Sequence, residues 1–137
     1  MKKFAIALIA VVGPITSAAS QSTITNAPPR DHLIDEYVAY IGPQDLVNSN
    51  GVRLTAPWQI IRQDRANYHQ FGRADRMDTG DTFFQSRSNR AKMEAMLASG
   101  YISSSAARDI VSGGVLVRVE IWGSNGFGRS VHVEVAR

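Results

Sequence analysis

The chain has 137 residues, 15 Lys and Arg against 12 Asp and Glu, no cysteine, and 44% apolar residues. This length accommodates one modest domain, and the moderate charge and hydrophobicity indicate a globular fold rather than a disordered chain. The lack of cysteine excludes a disulfide framework, a thiolate metal site and a cysteine nucleophile. The formal net charge of +3 would suit nucleic acid or an anionic membrane, so the location of the charges decides what it means.

The first twenty residues have the three-part layout of a secretory signal peptide. Lys2 and Lys3 supply a positive start, Phe4 to Val12 is apolar, and the small residues at 17–20 offer a cleavage site. A membrane anchor is the alternative, but the apolar run is shorter than the ~20 residues that cross a bilayer. We therefore expect residues 1–20 to be cleaved, the protein to be periplasmic or secreted, and the mature chain to have no membrane span.

Cleavage also changes the charge of the protein. With Lys2 and Lys3 removed, thirteen basic residues face twelve acidic ones and the net charge falls to +1. We do not expect nucleic acid as a partner, because so small a charge attracts phosphate only feebly. Twelve Arg stand against a single remaining Lys, Lys92. Either compositional bias or specific pairing of the planar guanidinium with carboxylates or ligands would explain this preference.

The mature chain begins with a polar tether and then changes character. Residues 21–30 (QSTITNAPPR) contain a Pro-Pro pair and predict an extended tether. Residues 31–137 are expected to form one domain. Residues 31–41 fit a helix or a strand, and their aromatic and β-branched content favours a strand from about Glu36. Asn50-Gly51 then predicts a tight turn.

Helical signals occupy the middle of the chain. Thr55 can cap the first helix and Gly72 can close it, while Ser88 can cap the second. A polar loop at 72–85 separates these two helices. The predicted helices are 57–71, 89–99 and 104–111.

The C-terminal part has the period of a β-strand. Val117, Val119 and Ile121 alternate with polar residues, and the same alternation returns from 131 to 135 after a glycine-rich turn. This predicts a hairpin with one apolar face and one polar face. The predicted fold class is α+β, with a small antiparallel sheet that includes this C-terminal β-hairpin and is packed on one face by two or three helices.

Asp64 lies in the middle of the apolar face of the first helix. At 100° per residue around the helix axis, Asp64 falls between Ile60 on one side and Tyr68 and Ile61 on the other. A carboxylate against a core needs a partner. It could accept hydrogen bonds from an arginine or from loop backbone and serve the fold, or it could act as an acid or base at the floor of a cleft. A third arrangement, in which the helix packs differently, would leave Asp64 exposed.

The opposite face of that helix carries a polar stripe. Trp58, Arg62, Arg65 and His69 follow one another at helical spacing. An indole with two guanidinium groups and an imidazole could bind an anion or a sugar. A solvated face with Trp58 packed at the helix entrance is the alternative interpretation.

Metal and cofactor signatures are poor. Only Asp75, Asp78 and Asp81 come near a hard-cation site, and their spacing matches no calcium loop. A solvated acidic loop, or pairing with the arginines at 73, 76 and 87, is the alternative. The three histidines, at 32, 69 and 132, are too dispersed for zinc. We therefore expect no cofactor and no metal.

These observations leave three classes of function. The leading hypothesis is a small exported, non-enzymatic binding or interaction module of the bacterial cell envelope, with an envelope component or another protein as its partner. A second is a small secreted hydrolase or nuclease that uses Asp64 and His69, with Arg62 and Arg65 stabilising charge. A third is an inhibitor of a secreted hydrolase that docks the 72–85 loop into a cleft. A cleft shared by Asp64 and His69 would favour the enzyme, whereas burial of Asp64 against an arginine would favour a structural role.

Overall fold

The structure, a computed structural model, describes residues 30–136. The predicted signal peptide and almost all of the tether lie outside the described residues. The strands are β1 His32–Ile41, β2 Tyr101–Ile102, β3 Val115–Ser124 and β4 Phe127–Ala136. The α-helices are α1 Pro57–His69, α2 Arg87–Arg90, α3 Met93–Ala98 and α4 Ser104–Ser112. Two 3₁₀ turns, Pro43–Leu46 and Phe83–Gln85, complete the elements.

The strands form one sheet in the order β1-β3-β4-β2. β3 pairs antiparallel with β1 and with β4, so the predicted C-terminal hairpin is confirmed. The strand prediction at 31–41 is also right, and β1 begins earlier than Glu36. β2 runs parallel to β4 and makes the sheet mixed. A two-residue strand has no periodicity of its own, so no sequence pattern could predict it.

One face of the sheet forms the core together with the helices, as the alternating pattern predicts. The fold is therefore α+β. The fully buried apolar side chains of the core are Ala39, Ile41, Ile60, Ile61, Phe84, Met93, Ile110, Val117, Val119, Ile121 and Val131. The opposite face is charged: an Arg118 guanidinium nitrogen lies 2.6 Å from a Glu36 oxygen and 2.9 Å from a Glu120 oxygen. No helix among residues 30–136 is long and apolar enough to span a bilayer.

The polar 72–85 loop is attached to the outer edge of β1. The backbone nitrogen of Thr79 donates to the Val38 carbonyl at 2.8 Å, and the nitrogen of Tyr40 donates to an Asp78 carboxylate oxygen at 2.8 Å. Asp35 accepts hydrogen bonds from the backbone of Thr82 and Phe83. The loop thus covers an edge that would otherwise expose unpaired backbone groups, and it fixes the position of the residues that follow.

Helix boundaries differ from the predictions in several places, and α1 ends at His69 rather than at residue 71. Ala56, not Thr55, is the N-cap residue of α1, and the side chain of Gln59 accepts hydrogen bonds from the Thr55 and Ala56 nitrogens. The predicted helix at 89–99 is divided into α2 and α3. Ser86 rather than Ser88 caps α2. On one side of the division, Arg90 donates to carbonyl groups of the preceding 3₁₀ turn, and on the other, Met93 and Met96 of α3 pack in the core.

Candidate functional site

Asp64 lies against the core, as predicted, but its neighbour Arg65 is buried with it. Asp64 is 2% exposed and Arg65 is fully buried. The Nε group of Arg65 donates to Asp64 Oδ2 at 2.7 Å, and its Nη1 group donates to Asp81 Oδ1 at 3.1 Å. The prediction that placed Arg65 on the polar face opposite the core, as a ligand-binding residue beside Trp58 and Arg62, is therefore wrong in its placement of Arg65. A helical wheel gives the direction of Cβ, and the long stem of arginine can carry the guanidinium group back toward the core.

Aromatic rings complete the surroundings of Arg65. Its guanidinium carbon lies 3.9 Å from the centre of the Tyr37 ring and 4.6 Å from that of Tyr68. These contacts are within the range of cation–π attraction, which strengthens when water is excluded. They fix α1 to β1, because Tyr37 lies on that strand.

His69 and Asp81 join this group, which we call the buried cluster: Asp64, Arg65, His69 and Asp81. His69 Nε2 lies 2.8 Å from Asp81 Oδ1, and the Phe84 nitrogen donates to Asp81 Oδ2 at 2.5 Å. Asp81 therefore has Arg65, His69 and backbone as partners, whereas Asp64 has Arg65 alone. One guanidinium group is shared by two buried carboxylates.

The burial of Asp64 favours its protonated form. Burial raises the pKa of Asp64 to about 7, and the attraction of Arg65 offsets this effect only in part. Burial opposes the charge of Arg65 as well, but Tyr37 and the Asp64 carboxylate hold the pKa of Arg65 above its ordinary value. Arg65 thus stays protonated, and Asp64 is the group that titrates near neutral pH.

The buried cluster has the geometry of a structural element. Three surface depressions of the described residues are lined by none of its four members. Asp64 is buried against an arginine, which is the arrangement expected of a structural role. A nearby network of the same kind was missed by sequence reasoning: Asn67 Nδ2 donates to Asp45 Oδ1 at 2.8 Å, and the Gly42 nitrogen donates to Asp45 Oδ2 at 2.9 Å.

The three aspartates considered for a cation do not converge. Asp78 accepts hydrogen bonds from the nitrogens of Tyr40 and Asp75, and Asp81 belongs to the buried cluster. Within residues 30–136, no three His, Asp or Glu side chains are grouped so as to hold a metal ion. No ion pair in this part of the chain joins the three aspartates to the arginines at 73, 76 or 87. Asp78 instead binds backbone nitrogens of β1 and the loop, and Asp81 binds Arg65, His69 and the Phe84 nitrogen.

Trp58 and Arg62, the other two residues of the predicted stripe, line a surface depression of about 350 Å³. We call it the arginine groove. Trp58, Arg62, Ala66 and Gln70 follow one another at steps of four residues, so this wall extends over ~18 Å of α1. α2 supplies two further cations to the groove. The lining residues are Asn48, Ser49, Leu54, Trp58, Gln59, Arg62, Gln63, Ala66, Gln70, Phe71, Arg87 and Arg90.

Arg90 is a fixed cation of the arginine groove. It is 5% exposed, and its Nη1 group donates to the carbonyl oxygens of Phe84 at 2.6 Å and Gln85 at 2.9 Å. Its Nη2 group donates to Gln70 Oε1 at 3.3 Å. Three of its five N–H groups are thus occupied, and two remain for a ligand. Among residues 30–136, no carboxylate forms an ion pair with Arg90.

Three guanidinium groups face one depression that contains no Asp or Glu. Burial, together with the charges of Arg87 and Arg62, lowers the pKa of Arg90 from its ordinary value. All three line the same depression, so a single ligand there could contact each of them. Arg62 and Arg87 are exposed and have no hydrogen-bond partner within residues 30–136. Sequence reasoning missed Arg87 and Arg90 as binding residues, because only the chain fold brings α2 beside α1.

Comparison of the chain with protein-family models, with curated proteins and with solved structures gave no match.

Proposed function

We propose that this protein is a small exported, non-enzymatic binding module that holds an anionic ligand in the arginine groove. The observation that carries the proposal is the convergence of Arg62, Arg87 and Arg90 on a depression without a carboxylate. Guanidinium groups bind carboxylate and phosphate through pairs of charge-assisted hydrogen bonds.

Arginines that merely face solvent would not need to converge on one depression that lacks a carboxylate. Exposed arginines usually lie apart or beside carboxylates, because like charges in contact repel. Arg90 is also nearly buried, and within residues 30–136 its guanidinium group is held by carbonyl and amide oxygens rather than by a carboxylate. A bound anion would offset the repulsion among the three cations, which favours negative charge in the groove.

The setting of the proposal comes from the sequence. The predicted signal peptide at residues 1–20 supports export to the periplasm or the medium, where an envelope component or another protein would supply the anionic group. Such a partner would bind on the surface formed by α1 and α2.

The proposal can be tested with tripolyphosphate as a probe and isothermal titration calorimetry. The double variant Arg62→Gln, Arg87→Gln removes the two exposed cations without disturbing the bonds of Arg90. Each lost charge-assisted hydrogen bond should weaken binding by about tenfold or more. The matched control is Arg108→Gln, which removes an exposed charge on α4 outside the groove. Equal binding by the double variant and by the unmodified protein would contradict the proposal.

A further inference from the structure

Amide side chains of the arginine groove have a common orientation. Asn48 Oδ1 accepts hydrogen bonds from the Asn50 nitrogen at 2.9 Å and the Val52 nitrogen at 3.0 Å. Gln59 Oε1 accepts from the nitrogens of Thr55 and Ala56. Because backbone nitrogens can only donate, these contacts establish which end of each amide is the oxygen.

Gln70 follows the same rule, since its Oε1 atom accepts from Arg90. The amide oxygens of Asn48, Gln59 and Gln70 are thus held by the protein, while their nitrogens donate to no group within residues 30–136. Gln63 is the exception: its Nε2 donates to Asn67 Oδ1 at 3.0 Å and leaves the oxygen available. The side chains of the groove therefore present a large excess of hydrogen-bond donors.

A donor-rich surface selects ligands that are rich in acceptors. Hydroxyl groups of neutral sugars both donate and accept, whereas carboxylate, phosphate and sulfate oxygens only accept. The donors are distributed over α1, α2 and the loop that holds Asn48, so they match several anionic groups in succession better than one compact anion. Trp58 adds a flat apolar surface at one end, half-buried and packed partly on the core.

We infer that the ligand of the arginine groove is an acidic glycan, a chain of sugar rings with anionic substituents, with one ring placed against Trp58. The inference rests on the proposed function and specifies its ligand. A sugar ring offers the C–H face that an indole can cover, and its acidic substituents supply the acceptors that the groove requires. The carboxylate side chains of an acidic peptide would also supply acceptors, but they offer no saturated ring whose C–H face could lie on Trp58.

The two tryptophans of the chain allow a direct test. Trp58 lines the groove, whereas Trp122 lies on β3 and stacks on His132 with 5.7 Å between ring centres. In Trp122→Phe, all tryptophan emission comes from the groove. Titration of this variant with tetragalacturonate should shift or quench the emission, with a Kd at least tenfold lower than for maltotetraose or tetraglutamate. The matched control Trp58→Phe retains only Trp122, and its emission should stay constant.

The other possible outcomes would contradict the glycan inference, the proposed function or both. If tetraglutamate or a dT4 oligonucleotide binds as tightly as tetragalacturonate, the glycan inference is wrong but an anion site remains. If maltotetraose binds equally well, negative charge is not what the groove selects. If calorimetry shows that Trp58→Phe binds tetragalacturonate with unchanged affinity, the ring does not lie against Trp58. If neither tetragalacturonate nor tripolyphosphate binds, the proposed function fails together with the inference.

Discussion

Replacing Asp64 by Asn should stabilise the protein at pH 8 and change little at pH 4. Asp64 shares Arg65 with Asp81, and burial raises the pKa of Asp64 from 3.8 to about 7. Its ionised form is therefore a surplus charge in the core. Asparagine keeps an oxygen that can accept from Arg65 Nε, and it removes that charge.

The size and sign of the effect follow from the difference in pKa between the folded and unfolded chain. A carboxyl group whose pKa is raised by folding binds its proton more tightly in the folded state. Its ionisation therefore lowers the free energy of unfolding as the pH rises from about 4 to about 7. A difference of about three pKa units, at about 1.4 kcal/mol each, corresponds to roughly 4 kcal/mol for Asp64. Breaking a buried ion pair has the opposite sign, but Arg65 retains Asp81 as its counter-ion.

Urea denaturation followed by circular dichroism at several pH values measures this effect. The difference in unfolding free energy between Asp64→Asn and the unmodified protein should grow from near zero at pH 4 toward roughly 4 kcal/mol at pH 8. The variant and the unmodified protein share all other carboxyl groups. The contribution of those groups to the pH dependence therefore cancels when the two unfolding free energies are subtracted. A variant that is less stable at pH 8, or a difference that is the same at every pH, would refute the view of Asp64 as the surplus carboxylate.

Three further substitutions probe the packing. Arg65→Met leaves two buried carboxylates without their cation, so the unfolding free energy at pH 8 should fall by about 3–5 kcal/mol, and by less at pH 4; the same urea titrations measure it. Phe84→Ala opens a cavity at a fully buried ring and should lower stability by about 3–5 kcal/mol in chemical denaturation; a loss below 1 kcal/mol would show that the ring is not in the core. In Gly100→Ala the new Cβ would overlap the carbonyl oxygen of Val131, which should lower stability by about 1–3 kcal/mol in thermal melts. The neighbouring Ser99→Ala, at an exposed position, should stay within about 0.5 kcal/mol of the unmodified protein.

Elements with a regular pattern could be predicted from the sequence. The alternation of Val117, Val119 and Ile121 identifies β3 and its buried face, and the stripe that includes Ile60 and Ile61 identifies the inner side of α1. These predictions succeed because side chains that face the core are apolar and those that face solvent are polar. The sequence therefore repeats with the period of the helix or strand. The place of Asp64 inside the core follows from the same pattern.

The candidate site could be predicted only in part. Trp58 and Arg62 lie on one helix face, so helical spacing brings them together. Arg87 and Arg90 reach them through the packing of a separate short helix, and local sequence contains no signal of that contact. The burial of Arg65 was missed for a related reason, because its partners Tyr37 and Asp81 come from β1 and the polar loop. Long-range pairing of polar groups depends on the complete fold.

The most direct test of the anion site is an NMR titration of the arginine Nε–Hε groups with tripolyphosphate. Binding in the groove predicts that the signals of Arg62, Arg87 and Arg90 shift together along one saturating curve, while the signal of Arg108 does not move. Arg90 should respond although it is nearly buried, because two of its N–H groups are available to a ligand. Equal, non-saturating shifts at all exposed arginines, with Arg90 unchanged, would contradict an anion site between α1 and α2.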